Sequence, residues 1–294
     1  EAIAVTPGGR IARAGHIVNR PWGTGEQRNM GMKFLIRIAA IAALACMNCR
    51  GQTGHPTPMA GVATPKLEAM PATLETRFAL SAAPPHLRDA ATVYLLDPAH
   101  GYVLGGQGKN GISCIVVRSD WQWPDRPFRD DIFWPVCYDS EGSKTLLQDY
   151  IYAAELRAEG MDEKRVHEEV IKRFGTAAYP NPARSGVAYM IAPIMRGYPG
   201  PKTMNLPHYM FYAPGVINAD IGGKPYSHYP FVLDMSPGRD DVIIMLAGET
   251  EKREILWQSK SLPTDLCKYR EFLCTTPETQ VRMPNDRPSI MAVR

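Results

Sequence analysis

A short stretch near the start of the chain limits which compartment it folds in, and so which covalent bonds it can use. Lys33 precedes an apolar run, Phe34 to Ala45, broken only by Arg37. The run is too short to span a bilayer, which takes about 20 apolar residues. It closes with Ala43-Leu44-Ala45 directly before Cys46. A basic n-region, an apolar h-region and an A-x-A site are the marks of an export signal over residues 30–45. A cysteine directly after the cleavage site raises a second outcome, a lipid on Cys46 that would anchor the protein to a membrane. The leucine of a lipobox normally stands three residues before the cysteine, and here Leu44 stands two before it. A buried apolar helix would explain the hydrophobicity of the run but not its charge or its small-residue end. Residues 1–29 begin with Glu1, lack apolar periodicity and are expected to be an upstream extension with no role in the mature protein; the alternative is an extended n-region.

Export changes how the charge is read. The chain holds 33 Lys and Arg against 30 Asp and Glu. Removing the six basic and two acidic residues before Cys46 leaves 27 against 28, so the basic excess belongs to the leader. No electrostatic footprint for nucleic acid remains. The expected location is outside the cytoplasm, in a bacterial periplasm or outer envelope.

Residues 46–73 are rich in Pro, Thr, Gly and Ala and read as a linker. Residues 74–250 suit one domain with its own core, and 251–294 read as a C-terminal extension. Disulfides are the default for an exported chain. Cys114, Cys137, Cys267 and Cys274 allow three connectivities, of which Cys114–Cys137 with Cys267–Cys274 is favoured. Seven residues of helix span about 10.5 Å, while a disulfide needs Cα atoms within about 7 Å. If Cys267 and Cys274 pair, "CKYREFLC" is therefore not one continuous helix. Cys46 and Cys49 form a CxxC, but beside a cleavage site rather than a βαβ unit, which argues against a redox motif.

Along the core, "TVYLL" (92–96), "YVLGG" (102–106) and "ISCIVVRS" (112–119) read as strands of an antiparallel meander, with Asn110-Gly111 as a two-residue hairpin signal. An aromatic loop follows. Residues 145–159 form a helix with Leu147, Tyr150, Ile151 and Ala154 on one face, stopped by Gly160. Asp162 can cap a second helix with Val166, Val170, Ile171 and Phe174 on its apolar face, ended by Gly175. "GVAYMIAP", "HYMFYAP", "PFVLDM" and "DVIIMLAG" are further strands. The echo between Tyr189-Met190-Ile191-Ala192-Pro193 and Tyr209–Pro214 makes the first two of them neighbours, joined by loop 194–207. The expectation is an α+β fold on an antiparallel sheet, as a single domain.

Five stretches, "RFALSAAP" (77–84), "GYVLGGQGKNGISCIVVRS" (101–119), "FWPVCYD" (133–139), "GVAYMIAP" (186–193) and "PHYMFYAPGVINADIG" (207–222), resemble a group of exported bacterial proteins with no assigned activity. The resemblance covers most of residues 75–222 in order. It brings no catalytic or binding residue. In that group the Asn-Gly-x-x-Cys and Pro-x-Cys motifs occur together, which favours a Cys114–Cys137 bridge. The Cys267/Cys274 tail departs from the pattern.

Three functions follow as expectations. The first is a non-enzymatic envelope protein that binds or supports something at the cell surface. The second is an envelope hydrolase centred on His208 with Asp220, and with Asn218 and His228 nearby. Its spacing matches no metal signature, and a strand-end histidine bonded to a backbone carbonyl is the competing reading. The third is a glycan- or peptidoglycan-binding module that uses Trp121, Trp123 and Trp134, beside Asp120, Asp125, Arg126, Arg129, Asp130 and Asp131. Against it stands a loop that uses its aromatics to fasten itself to the sheet. Cys114, in a strand and in an oxidising compartment, reads as a disulfide partner rather than a nucleophile. His167, Glu168 and Glu169 read as a solvated helix face, and "DIGGKP" as a turn. No cofactor is indicated by any motif.

Overall fold

A computed structural model describes residues 67–119, 121–174, 176–177, 179–197, 202–233 and 242–275. All of them fall in the unit Ala60–Arg294. The leader, Cys46, Cys49, Asp120 and Gly175 lie outside the described residues.

The strands are β1 (Thr92–Asp97), β2 (Gly101–Gly106), β3 (Ser113–Val117), β4 (Trp134–Tyr138), β5 (Val187–Met190), β6 (Met195–Gly197), β7 (Lys202–Met204), β8 (His208–Tyr212), β9 (Phe231–Leu233) and β10 (Val242–Leu246). The helices are α1 (Ala72–Ser81), α2 (Pro85–Arg88), α3 (Leu146–Ala158), α4 (Glu163–Arg173), α5 (Asn218–Ile221), α6 (Glu249–Gln258) and α7 (Ser261–Tyr269). Eight strands make one sheet in the order β2-β1-β3-β4-β5-β8-β10-β9, and β6 and β7 form a separate ribbon. Every residue of β3 and β4 is buried, which explains why "SCIVV" and "WPVCY" carry no charge.

The sheet is α+β and mostly antiparallel, but its first three strands are not a meander. β1 pairs with β2 antiparallel and with β3 in parallel, so β1 lies between them. The connection from β2 therefore crosses the start of β1 instead of turning a hairpin at Asn110-Gly111. Gly108 makes the crossing, where a Cβ would overlap the backbone of Ala90, Ala91 and Thr92. Asn110 serves the same crossing. Its Nδ2 donates to Leu87 O at 2.8 Å and its Oδ1 accepts from Ile112 N at 3.0 Å. Gly111, at φ +76°, takes the left-handed backbone that starts β3.

Strand alternation divides the core between the two faces. On one face Leu96, Ile115, Val117, Val136, Tyr138, Met190, Tyr212 and Ile244 pack with Leu146, Leu147 and Ala154 of α3. On the other, Val93, Cys114, Val116 and Cys137 pack with Phe78 and Ala79 of α1, with Ala82 just after it, and with Leu262, Leu266 and Leu273. The core thus runs past both ends of the 74–250 span, since Leu67, Met70 and these three leucines are all buried. Each such leucine contributes about 1.5–3 kcal/mol. Beyond α7 the chain turns through Arg270 and a short 3-10 turn, which brings the Cys267 and Cys274 Cα atoms to 4.4 Å for their bridge. Cys114 and Cys137 sit directly opposite each other on β3 and β4 and form the second bridge.

The helical hairpin follows its sequence closely. After α3, Gly160 takes φ +87° and its N–H reaches Arg157 O, while Met161 N–H reaches Leu156 O. That paired closure is the Schellman arrangement. Asp162 Oδ1 accepts from Arg165 N at 2.8 Å and caps α4. Val166 and Val170 of α4 close a third cluster with Trp121, Phe128, Tyr152 and Leu156.

Candidate functional site

His208 opens β8 and is only 7% exposed. Its Nδ1 lies 2.8 Å from Leu206 O, and burial pushes its pKa below the ordinary imidazole value. Asp220 sits beyond the opposite end of the strand, on exposed α5, where its carboxylate accepts from Ile217 N at 3.0 Å. Asn218, two residues before Asp220, bonds to the outer edge of β9, so β9 and β10 lie between that segment and β8. The structure does not bring these residues together, and among the described residues no cluster of His, Cys, Asp and Glu has the form of a metal site. Both body cysteine pairs are bridged, so neither offers a thiolate.

Two of the indoles, Trp121 and Trp134, are interior, and Trp123 is half-buried. Trp121 is 1% and Trp134 7% exposed, and Trp123 packs edge-on against Trp134 with centroids 6.2 Å apart. Three arginines hold the loop between them. Arg118, 2% exposed, donates to Ile132 O and Asp130 O and lies 3.8 Å over the Phe133 ring. Arg157 donates to Arg118 O, Ser119 Oγ and Arg129 O. Arg196 grips Asp131, which also pairs with Arg129. The two arginines hold the Asp131 carboxyl below the usual range against the opposing effect of burial. The aromatics therefore fasten the loop to the sheet and leave no open indole platform across Trp121 and Trp134.

A polar wedge occupies the seam between β1 and β3, toward the β2 edge of the sheet. The parallel pairing of β1 and β3 covers only Thr92–Ser113 and Val93–Cys114. Beyond that, side chains take the place of the ladder. Glu75 of α1, 1% exposed, accepts Leu96 N–H at 2.9 Å. Tyr102 reaches over from β2, donates to Val116 O at 2.7 Å and accepts Arg118 N–H at 3.1 Å. Burial raises the Glu75 carboxyl from 4.5 to about 7, against the lowering pull of the Leu96 N–H and Arg118.

The most outward-facing apolar chemistry lies on one excursion, residues 217–229, between β8 and β9. Ile217 (59% exposed), Ile221 (39%), Tyr226 (68%) and Tyr229 (80%) are four of the eight large exposed hydrophobic residues among those described. The base of the excursion is ordered. The Asn218 carboxamide donates to Val232 O at 2.8 Å and accepts Val232 N–H at 2.9 Å, which occupies the free edge of β9. Gly222 closes α5 at φ +65°, and Tyr226 takes φ +60°, the one described non-glycine residue in that region. A bulky residue held there costs about 1–3 kcal/mol. The sequence signal is present as Ile, Tyr and Gly in a polar run, but it reads equally as a turn.

The chain matches no protein-family model, no curated protein and no solved structure in comparisons with each.

Proposed function

We propose that the protein is an exported envelope protein that binds through the 217–229 excursion, and that the surface it meets is a lipid bilayer. The observation that carries this reading is the concentration of exposed Ile217, Ile221, Tyr226 and Tyr229 on one ordered segment that includes a strained tyrosine. Isoleucine side chains suit the acyl boundary, tyrosine rings the interfacial zone, and exposed Lys224 the headgroup phosphates. The export-type leader read from the sequence supports a location where such a surface is met. A lipid on Cys46 would add the second contact that stable anchoring requires. The hydrolase reading draws no support from the separated His208 and Asp220.

The test is sedimentation of the full chain with vesicles that contain anionic phospholipid. The wild type is expected to pellet with the vesicles, and the double variant Ile217→Ser, Tyr229→Ser to partition several-fold less with an unchanged melting temperature. Equal partition of the two proteins, or a wild type that stays in the supernatant, refutes the reading. Retention on isolated peptidoglycan instead, lost in the same variant, would assign the excursion to a glycan.

A further inference from the structure

Away from that excursion, four helices border an open cavity of about 270 Å³, lined among others by Arg77, Leu80, Arg88, Asp89, Ser259 and Ser261. Its walls come from α1, the end of α2, the end of α6 and the first turn of α7. The polar groups here are unequally satisfied. Arg77 is neutralised, since it pairs with Asp265 at 2.8 Å and donates to Ser261 Oγ at 3.2 Å. Arg88 is not. Its Nε donates to Ala83 O at 2.8 Å and one terminal nitrogen to Ser81 O at 3.3 Å, and no carboxylate among the described residues pairs with it. The other terminal nitrogen has no acceptor there. Ser259 is 7% exposed, and its hydroxyl has no hydrogen bond to any described residue. Neither the Arg88 terminal nitrogen nor the Ser259 hydroxyl is among the fully buried unpartnered atoms, so both are accessible from the cavity they line.

We infer that this cavity is a binding site for a small organic anion, a carboxylic acid or phosphate ester of about monosaccharide size. Arg88 supplies the counter-charge. The Ser259 and Ser261 hydroxyls donate to the anion beside the start of α7, where the helix dipole favours negative charge. Leu80 and Leu262 form an apolar wall. Asp89, also on the lining, would repel a bare anion but accepts a hydrogen bond from a ligand hydroxyl, so the site favours a hydroxylated acid over a simple ion. The volume lies just below the usual range of ligand pockets, about 300–1,000 Å³, which limits the ligand to a small one.

The test uses the full chain with two probes, glucuronate and inorganic phosphate, followed by calorimetry and by amide chemical shifts. The expected result is saturable one-to-one binding of glucuronate, with shifts at Arg77, Arg88, Ser259 and Ser261, weakened at least about tenfold by Arg88→Gln and several-fold by Ser259→Ala. Binding should also weaken as salt is raised. Preference for phosphate over glucuronate would assign the phosphate-ester class. Absence of saturable binding of both probes, shifts confined to other residues, or undiminished binding by Ser259→Ala and Arg88→Gln overturns the site. Ser259→Ala removes one hydroxyl and keeps the question decidable if Arg88→Gln fails to fold. Vesicle partition is read separately, so failure here leaves the membrane reading standing, and the reverse holds too.

Discussion

Replacing Glu75 with Gln tests the wedge in the sheet. Glu75 is buried beside Leu96 N–H and faces Arg118, Tyr102 and Tyr269. Its carboxyl is raised from 4.5 to about 7 in the folded chain. The fold therefore prefers the protonated acid, and the stability this gives is complete below about pH 4.5 and lost as pH rises to about 7. At about 1.4 kcal/mol per pH decade, the span amounts to about 3 kcal/mol. Burial raises the Tyr102 phenol and lowers the Arg118 guanidinium from its ordinary value, and a guanidinium does not lose its proton in a protein, so the carboxyl is the group of this set that titrates in the window. The carboxamide of the Glu75→Gln variant would still offer an oxygen to Leu96 N–H but would not titrate. Urea unfolding of both proteins at pH 5, 6, 7 and 8 reads the difference, in which all other titrating groups cancel to first order. The wild type is expected to lose about 2.5 kcal/mol relative to Glu75→Gln between pH 5 and pH 8, the rest of the span lying below pH 5. A difference that stays flat with pH, or a wild type that gains stability as pH rises, would mean that the carboxylate is ionised throughout against Arg118 and that the wedge is an ion pair.

Other expectations are simpler. Gly108→Ala should destabilise by at least about 2 kcal/mol, because its Cβ meets backbone that cannot move aside; the urea midpoint reads it. Cys114→Ala with Cys137→Ala should cost about 3 kcal/mol from the lost chain constraint over a separation of 23 residues. The same change at Cys267 and Cys274, separated by 7, should cost less. Asp162→Ala should lower stability by about 1 kcal/mol through the lost cap of α4, with no effect on vesicle or anion binding.

Where local chemistry alone decides the structure, the residues announce it. The face of Leu147, Tyr150, Ile151 and Ala154, the stop at Gly160 and the cap at Asp162 all lie where periodicity and turn chemistry put them. The echo at Tyr189 and Tyr209 marks two strands that pair residue for residue. The misreadings share a different cause. Asn110-Gly111 carries a hairpin signal, but β1 fills the place beside β2, and the residues serve a crossing instead. α1 is hard to read because its core face uses Ala79 and Ala82 and includes Glu75, whose burial depends on a backbone N–H supplied by a distant strand. Leu262 and Leu266 are four apart, a helical spacing, but Pro263 and the surrounding polar residues make them look like a tail. The anion cavity is not legible in the sequence at all, since Arg88 and Ser259 are 171 positions apart and meet only through packing.

The Cys114–Cys137 bridge has a consequence for how the sheet is assembled. Alternate residues of a strand face opposite sides, so a slip of one residue between β3 and β4 would turn one sulfur toward α1 and the other toward α3. Such a pair could not be oxidised. Between paired strands β3 and β4 the bond is compatible with this register and not with a one-residue slip, so once formed it holds the alignment. β5 then docks on β4 with Tyr189 opposite Cys137, β8 with Tyr209 opposite Tyr189, and β10 with Met245 opposite Tyr209. The bridge thus pins one register at β3 and β4, and the registers of β5, β8 and β10 run on from it across the sheet.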